Sequence, residues 1–178
     1  MGTIPTIAAF AASGIVTSTY LNTIKAASDF WALTPRCYTY QATAQTLTTS
    51  TWTTINLDAE VYDIVQSGDS PSHDNITNNS RVVVRTTGKY EISGQVATVF
   101  NATGYRMARI QSNSLGILVE SHQGAVPTVS TSVPLPPIDV ALTAGDYLYI
   151  EGYQTSGGNL NTLGGQSNTF LRMKLTGA

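Results

Sequence analysis

Charge is what this sequence has least of. Only 11% of its 178 residues are Asp, Glu, Lys or Arg, less than half the usual share of about 25% in a soluble globular domain. Cysteine is nearly absent: the single Cys37 excludes a disulfide framework within the chain and any cysteine-built metal cluster. Long apolar runs are missing as well, which excludes a membrane-spanning helix of about 20 residues. With a net charge of −2 and no basic block, the electrostatic footprint of a nucleic-acid binder is absent. The opening MGTIPTIAAFAASG lacks the basic region of a secretory signal, so assembly in a reducing cytoplasm is the expectation. No P-loop, nucleophile elbow or dinucleotide fingerprint occurs, and no cofactor is expected.

What is abundant is hydroxyl and glycine. Thr and Ser make up about a quarter of the chain, with 15 Gly beside them, so the surface is wetted by neutral polar groups rather than ions. Proteins built into larger assemblies tolerate such surfaces, because much of their exterior is covered by neighbours. At this length the chain suits one domain, or one domain with an appended segment.

Two zones divide the sequence. Residues 1–35 carry its one helical pattern: Tyr20, Ile24, Ala27 and Trp31 recur at helical spacing on one face. Thr17 or Ser18 can cap its start and Pro35 stops it. Phe30 and Trp31 are large for so short a segment. Either this face covers one end of the following domain, or it is a docking arm that buries Tyr20, Leu21, Ile24, Phe30 and Trp31 against another protein. From residue 36 to 178 the period is two. KYEISGQVATVF sets Tyr90, Ile92, Gly94 and Val96 on one side, DYLYIEGY sets Tyr147, Tyr149, Glu151 and Tyr153 on one side, and TFLRMKLTG opposes Leu171, Met173 and Leu175 to Arg172 and Lys174. Further strands are expected at 37–42, 51–57, 81–86, 104–111, 115–120, 127–133 and 137–142. About ten short strands separated by turns predict an all-β sandwich or jelly roll. Loops are expected at 67–80, at the proline-dense link 133–138, and at the Gly/Asn tip 156–168.

Candidate chemistry is sparse. His73 and His122 lie at no ligand spacing from each other or from Cys37, and two solvated histidines are expected. Asp58, Glu60 and Asp63 form the best carboxylate group. Asp58 and Glu60 could share a strand face and offer hard oxygens to Ca²⁺, but a solvated rim is the favoured reading and no metal is assigned. Many serines are present, yet none is singled out by a base and an orienting group. No catalytic constellation emerges.

Four motifs in order resemble the tumour-necrosis-factor and complement-head superfamily: Gly88 and Tyr90 opening a central strand, Asn113 at a strand end, Gly145-Asp146 at a hairpin, and Phe170 in the closing strand. The resemblance covers about residues 37–176. It implies a jelly-roll homotrimer that binds other proteins or glycans and catalyses nothing. Tyr90, Tyr147, Tyr149, Tyr153 and Phe170 are the candidates for the trimer axis, since aromatics supply broad area at low entropy cost. Gly88 is expected in a positive-φ turn. A second resemblance lies in the arm, where Gly14, Val16, Thr17, Leu21 and Asn22, followed by FWALTPRC, are similar to tailed-phage structural proteins of actinobacterial phages. It implies a virion protein assembled in the host cytoplasm: a capsid decoration or head-fibre trimer held to the major capsid or another virion protein by its arm. The alternatives are a tail or baseplate adhesin for host-surface glycan, or a non-viral lectin-like module. The loops 67–80, 121–127 and 156–168 are expected at the end opposite the arm, with His73, Asn75, His122, Asn159 and Asn161 as outer-loop candidates. No nucleic-acid or membrane partner is implied.

Overall fold

Alternation along the longest strands dictates the architecture: each commits every second side chain to a shared interior. The computed structural model describes residues 3–9 and 14–177, so residues 1, 2 and 10–13 of the expected arm lie outside the described residues. One helix, α1 (Ser18–Ala32), precedes twelve strands: β1 (Arg36–Tyr40), β2 (Thr46–Leu47), β3 (Thr53–Thr54), β4 (Ala59–Ile64), β5 (Val82–Val83), β6 (Gly88–Thr98), β7 (Tyr105–Ser112), β8 (Gly116–Gly124), β9 (Thr131–Leu142), β10 (Tyr147–Gln154), β11 (Leu160–Asn161) and β12 (Phe170–Gly177). Ten of them form two five-stranded layers, and β2 and β11 pair with each other in a separate antiparallel ribbon. The first runs β4-β1-β12-β6-β9; the second runs β3-β10-β7-β8, with β5 also paired to β10. Every pairing between these strands is antiparallel. The fold is a jelly-roll sandwich.

The core lies between the layers. Tyr90, Ile92 and Val96 of β6 and Leu171, Met173 and Leu175 of β12 face Ala108 and Ile110 of β7 and Leu148 and Ile150 of β10, all buried. Cys37 projects inward from β1, and burial, reinforced by Asp63 and Glu60 nearby, pushes its thiol far above the ordinary range. Register fixes two ends. Arg36, Ile64, Gly88, Leu142, Lys174 and Gly177 share one end of the first layer, while Tyr40, Ala59, Thr98, Thr131 and Phe170 share the other.

Two expectations need correcting. The run 133–138 is no link: β9 passes straight through it, because β9 is an edge strand whose Pro134, Pro136 and Pro137 are exposed and need donate nothing outward. Gly88 does not occupy positive φ. It is required by close approach, since a Cβ there would lie 2.5 Å from the Gly177 carbonyl and 2.6 Å from Leu175 Cδ1. Gly145 does adopt φ +102°, at the turn where Asp146 N–H donates to Thr143 O and the Asp146 carboxylate accepts from Thr143 N–H. Gly88→Ala should therefore destabilise by about 1–3 kcal/mol through overpacking, measured by denaturant unfolding. A midpoint unchanged from wild type would contradict the contact.

Candidate functional site

The helix caps as its sequence directs: Thr17 Oγ1 accepts the Tyr20 N–H at 3.2 Å, and the helix ends at Ala32, before Pro35. Its faces differ from the expected assignment. Ala27 and Phe30 are buried, at 4% and 3% exposure, and Phe30 joins the core of the jelly roll. Tyr20 and Thr23 continue this inward face. Leu21, Ile24 and Trp31 form a second stripe at spacings of three and seven, 38–54% exposed. Trp31, one turn on from Ala27, packs edge-on against Phe30 yet stays half-exposed, and Phe30 needs no partner protein to be buried. Gln66 Nε2 donates to the Leu33 carbonyl at 2.9 Å, and residues 66–69 line a cleft with Phe30, Thr3 and Pro5. The start of the 67–80 loop thus stands at the arm's end of the sandwich, not opposite it. The 156–168 tip follows the far end of β10, away from the arm.

The five nominated axis aromatics do not share a surface. Tyr90 is fully buried in the core, where its hydroxyl donates to Thr86 O at 2.6 Å and burial pushes its pKa up to about 12. Tyr147, Tyr149 and Tyr153 project from β10 on the outer face of the second layer, whereas Phe170 is on the outer face of the first.

Around Phe170 the first layer carries an aromatic and cationic cluster that the sequence reading missed. Tyr38 sits 5.6 Å from the Phe170 ring and 5.9 Å from Tyr62. The Arg172 guanidinium lies 3.9 Å over Tyr38, and Arg36 lies 5.7 Å over Tyr62. Glu91 and Asp139 face each other in register across β6 and β9 on the same outer side. The alternation in RCYTY, with Arg36, Tyr38 and Tyr40 on one side, was the available signal.

On the second layer, Trp52 is 5.2 Å from Tyr153, which in turn stacks 6.1 Å from Tyr105. The Tyr153 phenol beside it raises the Tyr105 pKa above its ordinary value. Arg109 lies over the Trp52 ring at 3.9 Å and donates from Nε to Glu151 Oε2 at 2.6 Å. Gln111 also donates to that carboxylate. Further along, Tyr147 and Tyr149 are 6.1 Å apart, with Arg81 5.2 Å over Tyr147. Tyr105, Met107, Arg109 and Gln111 alternate legibly in sequence, but their union with Trp52 depends on a 50-residue separation that no local pattern encodes.

His73, Asp58, Glu60 and Asp63 serve loop structure. His73 is buried rather than solvated: Nδ1 lies 2.9 Å from Glu60 Oε1, and Nε2 donates to the Asn79 carbonyl at 3.1 Å. Its backbone N–H donates to Asp63. Asp58 precedes β4 and accepts from Ala42 N–H at 2.5 Å and Thr43 N–H at 3.1 Å. Asp58 and Glu60 therefore hold two different loops, and among the described residues no three His, Cys, Asp or Glu side chains converge as metal ligands. His122 is exposed on edge strand β8 opposite Met107, not in a loop. Asn75 and Asn159 are exposed in their loops, and Asn161 accepts from Thr46 Oγ1 at 2.9 Å. Arg106, 1% exposed, is an unforeseen anchor that donates to Thr98 Oγ1 and to the carbonyls of Asn101, Thr103 and Tyr105.

This geometry defines a tumour-necrosis-factor and complement-head-like jelly roll with outward aromatic faces. Solved structures bear the fold out. The chain is similar to the Eiger TNF of S. frugiperda (16% identity over 82% of this chain and 94% of that one, TM-score 0.62). It is also similar to murine APRIL (14%, covering 80% and 98%, TM-score 0.60) and to the globular domain of the zebrafish complement 1qA protein (12%, covering 79% and 96%, TM-score 0.54). No protein-family model and no curated protein sequence matches the chain.

Acid sensitivity follows from Asp58. Burial opposes its ionisation, but hydrogen bonds from the Thr43 hydroxyl and the Ala42 and Thr43 N–H groups outweigh this and hold the carboxyl below its usual value. A folded pKa below the unfolded one gives stability that is present above the unfolded value of about 3.9 and lost as pH falls through the folded value. Asp58→Asn should be less stable than wild type at pH 7, by no more than about 1 kcal/mol because the group is largely solvated. The gap should close as pH falls below about 4; a gap that persists undiminished to pH 2 would contradict this.

Proposed function

We propose that the chain is a virion structural protein of phage type: a homotrimeric decoration or head-fibre protein, assembled in the host cytoplasm and held to the major capsid or another virion protein by its N-terminal arm. The observation that carries this is the two-faced helix. Ala27 and Phe30 satisfy the jelly roll, and the stripe Leu21–Ile24–Trp31 remains for a neighbour. Ile15, Val16 and Leu33 near the helix ends are exposed as well, at 87%, 53% and 59%, and monomeric proteins rarely leave large apolar patches uncovered. The proposed role is assembly and binding, not catalysis.

Self-association belongs on the outer face of the first layer. Arg36 and Arg172 stand on the β1–β12 half, and Glu91 and Asp139 on the β6–β9 half. A heterologous contact that sets the basic, aromatic half of one subunit on the Glu91–Asp139 pair of the next, beside Lys89, closes into a ring. The nominated axis set thereby reduces to Phe170, joined by Tyr38 and Tyr62. An adhesin reading through loops 67–80, 121–127 and 156–168 has less support, because His73 and Asn161 are engaged internally and residues 67–69 stand beside the helix. A non-viral lectin-like module would leave the helix stripe unexplained.

Light scattering at low micromolar concentration should give about three times 18.9 kDa, and Phe170→Ser should dissociate the assembly while Tyr149→Ser leaves it intact. A monodisperse 18.9 kDa wild-type species would overturn the trimer. Combined Leu21→Ser, Ile24→Ser and Trp31→Ser should leave the trimer and its melting temperature unchanged but abolish incorporation into particles. Incorporation at wild-type occupancy would overturn the anchoring role.

A further inference from the structure

The outer face of the second layer has a composition that neither folding nor the proposed anchoring uses. Along β10, Tyr147, Tyr149, Glu151 and Tyr153 project outward in succession, so the strip from Tyr147 to Tyr153 is roughly 20 Å long at 3.4 Å per residue. At one end, Arg81, Asn78, Ser80, Thr54, Tyr147 and Tyr149 line a cup of about 250 Å³. At the other, Trp52, Tyr153 and Tyr105 make an aromatic shelf.

We propose that this strip binds an acidic oligosaccharide, with a sugar carboxylate at Arg81 and successive sugar rings laid along the tyrosines towards the Trp52 shelf. Arg81 carries the charge argument. Its guanidinium lies over Tyr147 and, among the described residues, the guanidinium N–H groups donate to no acceptor and form no ion pair, while the backbone N–H donates to Asn78 O. An arginine held by ring stacking with its donor fork free is shaped for bidentate recognition of a carboxylate. The middle of the strip supplies neutral hydrogen bonding. Arg109 spends Nε and Gln111 its Nε2 on Glu151, which leaves the Arg109 terminal N–H groups and the Gln111 carbonyl oxygen for hydroxyls. Sugars present the matching alternation of C–H faces and hydroxyl edges, which planar aromatics and planar polar groups recognise together.

A peptide is a poorer match. β10 is an interior strand, paired with β7 on one side and with β3 and β5 on the other, so it has no free edge for strand addition. This inference rests on the proposed function only in requiring that the second layer stay outside the subunit contact.

Calorimetric titration of the full-length protein with tetragalacturonate, its fully methyl-esterified neutral form, and a polyglutamate peptide tests it. The acid should bind with a dissociation constant of about 1 mM, the ester more weakly and the peptide not at all. Arg81→Gln should weaken the acid about tenfold, removing one charge-assisted contact, and leave the ester unchanged. Trp52→Ala and Tyr149→Ala should each weaken both saccharides about tenfold. Melting curves and light scattering on each variant separate loss of the site from loss of the fold, and Arg81→Lys, which keeps the charge but not the fork, should show an intermediate loss. No saccharide binding by wild type, binding unaffected by Arg81→Gln, or polyglutamate binding that depends on Arg81 but not on Trp52 would overturn the proposal. So would dissociation of the oligomer by Tyr149→Ala, which would make the strip a subunit contact while leaving self-association standing.

Discussion

A strand can give only every second residue to a core, and this sandwich depends on that constraint throughout. On β6, β7, β10 and β12 the inward set is fully or nearly fully buried, and at about 25 cal/mol per Å² of apolar surface removed from water this interior is the main source of stability. The outward set is thereby released from folding. It is there, on two opposite faces, that rings and arginines gather: Tyr38, Tyr62, Phe170 and Arg172 on the first layer, and Trp52, Tyr105, Tyr153 and Arg109 on the second.

The low charge has a structural counterpart. Loops here are tied by single buried polar side chains rather than by ion-pair networks. Arg106 fastens 99–104, Gln154 donates to Leu47 O and Gly158 O and so holds the start of the 156–168 tip, and His73 fastens 67–80. Each is expensive to disturb, because removing it takes the side-chain donor from one carbonyl (His73), two (Gln154) or three (Arg106). Charges are used in the same way: Asp58, Asp63, Asp74 and Asp146 accept from backbone N–H groups, and Arg85 and Arg106 donate to backbone carbonyls.

How much of this was legible depended on range. Which residues share a face on β6, β10 and β12 was legible from period two, though not which face turns inward; so were Thr17, one of the two cap candidates, and the turn at Gly145-Asp146. The order Gly88, Tyr90, Asn113, Gly145, Phe170 carried the resemblance that the fold bears out. What failed was non-local. Phe30 and Trp31 are neighbours in sequence, so only the position of the jelly roll decides which is buried. Tyr90 and Tyr147 look alike in alternation, yet one points between the layers and the other away. Phe170 and Tyr153 were grouped by residue type, and only the strand order reveals that they stand on opposite sheets. Asp58 and Glu60, two residues apart, serve loops 15 and 13 residues distant.

The central claim is a division of labour between the faces: the first layer joins subunits and the second remains open to the medium. Hydroxyl-radical footprinting of the purified oligomer, read by mass spectrometry against the dissociated Phe170→Ser form, tests this most directly. The account expects Tyr38 and Tyr62 to be protected in the oligomer and Tyr147, Tyr149 and Tyr153 to be oxidised equally in both. Protection of the β10 tyrosines, with Tyr62 equally oxidised in the two forms, would contradict it.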